Sequence, residues 1–158
     1  MRHILFILFF ALGATVPLAG HTVDSGGSDV PAAKVDPDFA TGRQAIEKKE
    51  WARAIESLNK AAAKDARNAD TQNLLGYSYR NNGQMELAFK HYEQALAIDP
   101  RHRGAHEYVG EAYLMVKNLA KAEEHLAALN RICTFSCEEL RDLRRKVAVY
   151  KSTTVSAK

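Results

Sequence analysis

Residues that interrupt helices are scarce in this chain of 158 residues, which has 4 prolines and 9 glycines. Alanine is frequent instead and β-branched runs are few, a balance that favours helices. The 2 cysteines exclude a miniprotein built on several disulfides. The net charge of +3, from 22 basic and 19 acidic residues, is too small an excess to predict a nucleic-acid partner.

Neither apolar nor charged residues dominate the composition. The chain is 46% hydrophobic and 26% charged, close to the average for soluble globular proteins. This balance excludes a wholly disordered chain and a membrane protein with several spans. The length leaves room for one domain and not for two large ones.

Residues 1–20 have the pattern of a secretory signal peptide. A basic start is followed by an apolar run, Ile4 to Leu12, and then by small residues. This run is too short for a comfortable membrane span, which needs ~20 residues; the alternative is an uncleaved anchor. Residues 21–35 are rich in Gly, Ser, Asp and Pro and predict a flexible linker. We therefore expect an exported, periplasmic protein without stable membrane insertion after signal cleavage.

The remainder of the chain contains an internal repeat. Four columns of residues recur at one constant interval over three copies, and small residues dominate two of them. The columns are Gly42, Gly76, Gly110; Ala54, Ala88, Ala122; Leu58, Tyr92, Leu126; and Ala61, Ala95, Leu129. Each copy divides into two helices with apolar periodicity, with breaks near 48–50, 81–83 and 117–118. Glycine and alanine at the repeated positions predict close contact between paired helices.

These motifs resemble the tetratricopeptide repeat (TPR) family. The middle copy matches best, with Leu75-Gly76-x-x-Tyr79, then Ala88-x-x-x-Tyr92, then Pro100. The family's early Trp is replaced by polar residues in all three copies, namely Asp38, Gln72 and His106. The resemblance implies an all-α, right-handed solenoid of helical hairpins. Its three TPR units, within residues 36–136, would cover about 35–68, 69–102 and 103–136.

A further helix is predicted over residues 137–151, where it would cap the open end of the solenoid. An apolar stripe with helical spacing supports it, formed by Leu140, Leu143, Val147 and Tyr150. Ser136 and Glu139 have the spacing of a capping box, which predicts a helix start at Ser136. Residues 152–158 are expected to form a frayed tail. The basic cluster 144–146 is interpreted as a solvated face, or alternatively as a site for an acidic partner or anionic lipid.

No catalytic motif is present in the sequence, and we predict no enzymatic activity, no cofactor and no metal. His102 and His106 are four residues apart, a spacing that can place two imidazoles on one metal. We expect His102 to precede the helix, however, which favours ordinary packed or surface histidines. Asp99-Pro100 is expected to start a new element, because proline suits a first helical turn.

Cys133 and Cys137 lie at the bend between the third repeat and the capping helix. Nearby cysteines in an exported chain usually pair, which predicts a structural disulfide. Two inert thiols are an alternative. A reactive or copper-binding pair is another, because a helix N-terminus stabilises a thiolate and soft thiolates suit Cu(I).

The most favoured function is a non-enzymatic scaffold of the bacterial cell envelope that binds a protein or peptide segment. In the TPR family the first helix of each pair lines a concave groove. By repeat register, the side chains facing it would be Phe39, Arg43, Ile46, Asn73, Tyr77, Arg80, Glu107, Glu111 and Leu114. The aromatic rings and guanidinium groups among them are expected to carry most of the affinity. The alternatives are a thiol-based copper or redox protein using the two cysteines and a purely structural envelope element.

Overall fold

The computed structural model describes residues 35–156, with side-chain surroundings for 35–153. The predicted signal peptide and all of the predicted linker except Val35 lie outside the described residues. The described part forms seven helices: α1 (Pro37–Glu47), α2 (Trp51–Lys64), α3 (Ala69–Asn81), α4 (Met85–Ile98), α5 (Arg103–Met115), α6 (Leu119–Ile132) and α7 (Glu138–Ser156). Within residues 35–156, no helix combines the length and the apolar character needed to cross a membrane.

The helices stack as successive antiparallel hairpins. α1 packs on α2, α3 on α4 and α5 on α6, and each hairpin contacts the next through α2–α3 and α4–α5. The odd-numbered helices α1, α3, α5 and α7 also contact one another in order, so they form one layer. This arrangement confirms the predicted all-α solenoid of helical hairpins.

The repeated small residues lie where paired helices approach most closely. A Cβ atom added at Gly42 would lie 2.6 Å from Leu58 Cγ, and one at Gly76 would lie 2.6 Å from the Tyr92 ring. Ala54 and Ala88 are fully buried at the same interfaces. The repeated glycines therefore reflect packing, because the first helix of each of these hairpins must leave room for a large side chain of its second helix.

The turns within the hairpins share one backbone feature. Lys49, Gly83 and Lys117 occupy the same position in successive copies and have positive φ angles of 59°, 79° and 61°. α5 starts at Arg103, so His102 precedes the helix as expected, but Asp99-Pro100 does not start it, because Pro100 lies in the preceding turn. The reason is that His102 caps the helix: its Nδ1 accepts a hydrogen bond from Ala105 N at 3.1 Å.

The last helix differs from the prediction at both ends. It begins at Glu138, where the Cys137 carbonyl accepts the first helical hydrogen bond from Arg141 N at 3.2 Å. Ser136 instead lies in the loop that precedes the helix, so the expected start is too early. The helix continues to Ser156; the prediction of a frayed tail is therefore wrong for residues 152–156.

The predicted apolar stripe of α7 is confirmed. Leu140, Leu143 and Val147 are buried and form one core cluster with Ala122 and Leu129 of α6. A Cβ atom at Gly110 would lie 2.7 Å from Leu143 Cδ2. The helix is therefore packed into the third hairpin, against both α5 and α6.

Candidate functional site

All nine predicted groove residues lie on α1, α3 and α5, the layer of odd-numbered helices. Their exposure differs widely. Arg43 is exposed, whereas Asn73 and Arg80 are buried. The others are partly buried: Phe39, Ile46, Tyr77, Glu107, Glu111 and Leu114. We call the surface formed by α3, α5 and α7 the groove.

A buried ion pair occupies the middle of the groove. Arg80 is only 7% exposed, and its Nη1 lies 2.9 Å from Glu111 Oε2 and 2.9 Å from the Tyr108 carbonyl oxygen. Its guanidinium carbon also lies over the rings of Tyr77 and Tyr108, at 5.1 and 5.6 Å. A buried charge requires such compensation. Arg80 therefore joins α3 to α5, and the expectation that its guanidinium is available to a partner is wrong.

The groove has a third wall that the sequence reasoning missed. Lys146 Nζ of α7 forms an ion pair with Glu111 Oε1. Lys146 is exposed, as are Arg144 and Arg145, which agrees with a solvated face, but its ammonium is also paired with Glu111 of α5. The repeat register could have predicted this position of Lys146, because Lys146 follows Ala112 by the length of one repeat. α7 therefore takes the position of the first helix of a fourth repeat.

Aromatic side chains form a continuous surface beside this ion pair. The rings of Tyr77 and Tyr108 are 4.8 Å apart, and Trp51 of α2 meets Tyr77 edge-on at 5.9 Å. Tyr77 and Tyr108 are only partly buried, so a ligand in the groove would contact them. Trp51 was not predicted, since it lies outside the first helices of the repeats.

Phe39 does not join this aromatic surface. It lines a separate recess of about 360 Å³ together with Lys64, Asn68 and Thr71. The predicted residues of α3 and α5 therefore come together, whereas of the three on α1 Phe39 lines a separate recess and Arg43 and Ile46 line neither that recess nor the recesses of the groove.

One end of the groove is mainly apolar. A recess of about 520 Å³ lies between the ends of α3 and α5 and the second half of α7. Leu114, Met115, Val149 and Tyr150 contribute apolar surface to it, and Arg145 lines it too. Met115 and Val149 are 59% and 57% exposed. This end is suited to apolar side chains of a partner.

The opposite end of the groove is acidic. A recess of about 330 Å³ is lined by carboxylates from α5 and α7 and by neutral residues of α3 and α5. The carboxylates are Glu107, Glu138, Glu139 and Asp142. Burial, with the negative charge of Glu111 as the second cause, raises the pKa of Glu107 to about 7. The groove therefore has ends of different chemistry.

The two histidines considered as a metal pair have other partners. His102 Nε2 lies 3.0 Å from Asp70 Oδ1. His106 Nε2 lies 3.1 Å from the Pro100 carbonyl, and its Nδ1 lies 2.9 Å from His125 Nδ1. Among residues 35–156, no three His, Cys, Asp or Glu side chains are grouped so that they could hold a metal ion.

The protonation of the His106–His125 pair follows from its geometry. A carbonyl only accepts, so His106 Nε2–H donates to Pro100, and neutral His106 therefore accepts at Nδ1 from His125 Nδ1–H. Burial lowers the pKa of both histidines, and with the charge of His106 it lowers that of His125 to about 4. The pair is therefore neutral near pH 7.

The predicted disulfide is present. Cys133 and Cys137 are bonded, with their Cα atoms 5.9 Å apart, and enclose a short loop in which Phe135 is 93% exposed. Both cysteines are partly buried and pack against the core of α6 and α7. In this state neither sulfur is a thiolate, so the pair does not offer the ligands that a copper site would need.

Comparison with known proteins identifies the family. The tetratricopeptide repeat model matches residues 69–102, the second predicted repeat. Over 134 residues the chain is 30% identical to the uncharacterized protein ycf37 of Pyropia yezoensis, covering 77% of this chain and 73% of that protein. Stacked hairpins around a groove define a helical-repeat protein. The chain belongs to the tetratricopeptide repeat family.

Solved structures share the fold at low sequence identity. The Sgt2 TPR domain from Aspergillus fumigatus has a TM-score of 0.68 and 21% identity, with 82% of this chain and 85% of that chain covered. The Yersinia enterocolitica type III secretion chaperone SycD, in complex with a peptide of the translocator YopD, has a TM-score of 0.64 and 16% identity. That match covers 77% of this chain and 92% of SycD.

Proposed function

We propose that this protein is a non-enzymatic scaffold of the bacterial cell envelope that holds a segment of a partner protein in the groove. The observation that carries the proposal is the accessible aromatic surface of Tyr77 and Tyr108. Aromatic residues at the centre of a concave surface are common hot spots of protein binding. The structure of SycD with a peptide of YopD supports the proposal by example.

The shape and chemistry of the groove favour an extended or helical segment over a small molecule. Its apolar recess is lined by Leu114, and its acidic recess is lined by Glu107 and by Tyr108, one of the two tyrosines. A segment that reached both would bury apolar side chains at one end and meet negative charge at the other. Such a surface selects for the pattern of a partner's side chains.

The test compares two tyrosines of α3 that point to different faces. Tyr77 lies in the groove, whereas Tyr79 stacks on His91 of α4 at 5.1 Å. The partner is first identified by photo-crosslinking from Met115, which is exposed in the groove, in the full chain expressed in its own envelope. We then expect Tyr77→Ala to weaken binding of that partner by about tenfold or more, while Tyr79→Ala changes it by less than about twofold.

Circular dichroism and thermal melting of both variants would establish that each remains helical. Equal affinity of Tyr77→Ala and the wild type would reject the groove as the binding surface. The envelope location has its own test, since removal of roughly the first 20 residues by signal peptidase would appear in the intact mass of the mature protein. A full-length cytosolic product would contradict the location and leave the groove proposal standing.

A further inference from the structure

Asn73, which lines the acidic recess, has a buried amide oxygen without a hydrogen-bond donor. Asn73 is only 5% exposed, and no group in the described part of the chain donates to its Oδ1. Its amide nitrogen lies beside Gly104, where an added Cβ atom would come within 3.2 Å of it. A buried carbonyl oxygen left unpaired is unfavourable. A ligand that brings a donor into the recess would satisfy it.

The charges around this oxygen determine which kind of donor fits. Glu107 and Asp142 line the recess with Glu138 and Glu139. Of the bases nearby, Arg103 lies 3.7 Å from Glu139, and Lys146 is engaged by Glu111. The acids therefore outnumber the bases at the recess. A positively charged donor is favoured there over a neutral one.

Metal ions do not fit these acceptors. No three acidic or histidine side chains within residues 35–156 are grouped to hold a metal. The volume of about 330 Å³ instead has room for a side chain with an aliphatic stem. Leu74 and Tyr108 line the same recess and would contact such a stem while its charged end reaches the acceptors.

We propose that the acidic recess binds the ammonium or guanidinium group of a lysine or arginine side chain, with Asn73 Oδ1 and the Glu107 carboxylate as acceptors. This inference rests on the proposed function, because it assigns the chemistry of one side chain in the partner segment. The partner would then carry a basic residue at the acidic end of the groove and apolar residues at the other.

The test uses small probes that isolate this one contact. Nα-acetyl-lysine methylamide and Nα-acetyl-arginine methylamide are titrated into the full chain labelled with ¹⁵N. The Asn73 side-chain amide and the backbone amides of Leu74, Gly104 and Tyr108 report binding. Nα-acetyl-norleucine methylamide keeps the aliphatic stem and lacks the charge. We expect saturable shifts with the two basic probes and at least about fivefold weaker binding of the norleucine probe.

Two variants remove the acceptors, and a third is a matched control. Asn73→Leu removes the oxygen and keeps the number of side-chain heavy atoms, and Glu107→Gln removes the charge at the same shape. Glu93→Gln makes the same change at an exposed position of α4. We expect the first two to weaken lysine-probe binding by at least about fivefold and the control to leave it unchanged. Wild-type binding by both acceptor variants would overturn the assignment, as would equal binding of norleucine.

A free amine has the same ammonium group as a lysine side chain, so the affinity of the chain for putrescine is measured separately and compared with that for the lysine probe. Weaker binding of putrescine than of the lysine probe supports a peptide side chain, whereas clearly tighter binding would overturn it. Failure of the probes to bind would leave the proposed function standing. A chain that captures its partner through Tyr77 but ignores the basic probes rejects this inference alone.

The pH dependence of lysine-probe binding gives a second readout. Glu107 is faced by Glu111 of its own helix and by Glu138, Glu139, Asp142 and Lys146 of α7; α3 presents Asn73 and Leu74 there, which do not titrate. Because the pKa of Glu107 is raised to about 7, wild-type affinity should increase between pH 6 and pH 8. Glu107→Gln should flatten this increase, and an unchanged slope in the variant would contradict the role of Glu107.

Discussion

The second and third repeats have the same backbone plan, but different residues complete their packing. In the second repeat, Tyr92 of the same hairpin fills the space at Gly76. In the third, Leu143 of α7 fills the space at Gly110. Leu126, which takes the position of Tyr92 in the third repeat, is only partly buried. The packing of the third hairpin therefore depends on α7. This helix contributes to the core and to the groove and does more than cap the end of the solenoid.

The two repeats also differ at the position where the family has its early Trp. Gln72 Oε1 lies 2.8 Å from His91 Nδ1, whereas at the equivalent position of the third repeat His106 meets His125 at 2.9 Å. Both repeats therefore have a hydrogen-bonded pair of side chains at this position, but the partner of the histidine on the second helix is a glutamine in one repeat and a histidine in the other. The second repeat has one titrating group at this site, His91, whereas the third has two, His106 and His125.

The largest expected effect comes from removing the side chain that joins α7 to the third hairpin. Leu143→Ala should lower the free energy of unfolding by about 3 kcal/mol, because it opens a cavity at a fully buried site. Leu126→Ala should lower it less, since Leu126 is partly exposed. Urea unfolding of both variants measures the difference. A larger loss for Leu126→Ala would mean that the third repeat is packed like the second.

A double-mutant cycle sharpens this comparison. Gly110→Ala should cost about 1–3 kcal/mol by overpacking against Leu143. Combined with Leu143→Ala, much of that cost should disappear, with a coupling of about 1 kcal/mol or more, because the truncated side chain leaves room for the new methyl group. Unfolding free energies of the four proteins give the coupling. Additive effects would show that the two residues do not share this space.

The pH dependence of stability separates the two polar pairs. Since the pKa of His125 in the fold, about 4, is below the ordinary value of 6.5, the unfolded chain binds more protons between these pH values. Stability is therefore fully present above pH 6.5 and falls as the pH drops towards 4. His106→Gln recreates the pairing of the second repeat and should reduce this loss by roughly 1 kcal/mol, after allowance for solvent screening.

Unfolding curves at pH 4.5, 5.5, 6.5 and 7.5 for wild type and His106→Gln test this expectation. The raised pKa of Glu107 acts in the opposite sense, stabilising the fold at low pH, but it is present in both proteins. The difference between their profiles therefore isolates the histidine pair. Parallel profiles would contradict its role.

The smallest effects concern the hairpin turns. Gly83→Ala should cost about 1 kcal/mol, because no atom lies within 4 Å of the added Cβ and only the positive φ of 79° opposes it. Lys117→Gly, at the equivalent position of the third repeat, should stabilise by up to about 0.5 kcal/mol, the relief of φ being partly offset by the entropy of glycine. Melting temperatures of both variants would reveal these opposite signs, and matching signs would contradict the account.

Features encoded within one hairpin could be predicted from the sequence. The small residues at Gly42, Gly76 and Ala88 predict close helix contacts, because only a small side chain lets two helices approach at these positions. The disulfide was predictable for a similar reason, since its two cysteines are near in sequence. The exclusion of Pro100 from α5 was not, because capping by His102 places the start of the helix after the proline.

Features that depend on pairing between distant helices could not be read from the sequence. Arg80 resembles an available binding residue until Glu111 and Tyr108 are placed beside it by the stacking of α5 on α3. Lys146 resembles a surface charge until α7 is placed in the register of a fourth repeat. The acidic recess likewise requires α5 and α7 to be next to each other.

The central claim is that the groove, completed by α7, holds a segment of a partner. Hydrogen–deuterium exchange of the full chain, with and without the crosslink-identified partner, tests it most directly. We predict slower exchange on binding in α3, α5 and α7, with α2 and α4 unchanged. Protection confined to α2 and α4, or to the disulfide loop at 133–137, would contradict the claim.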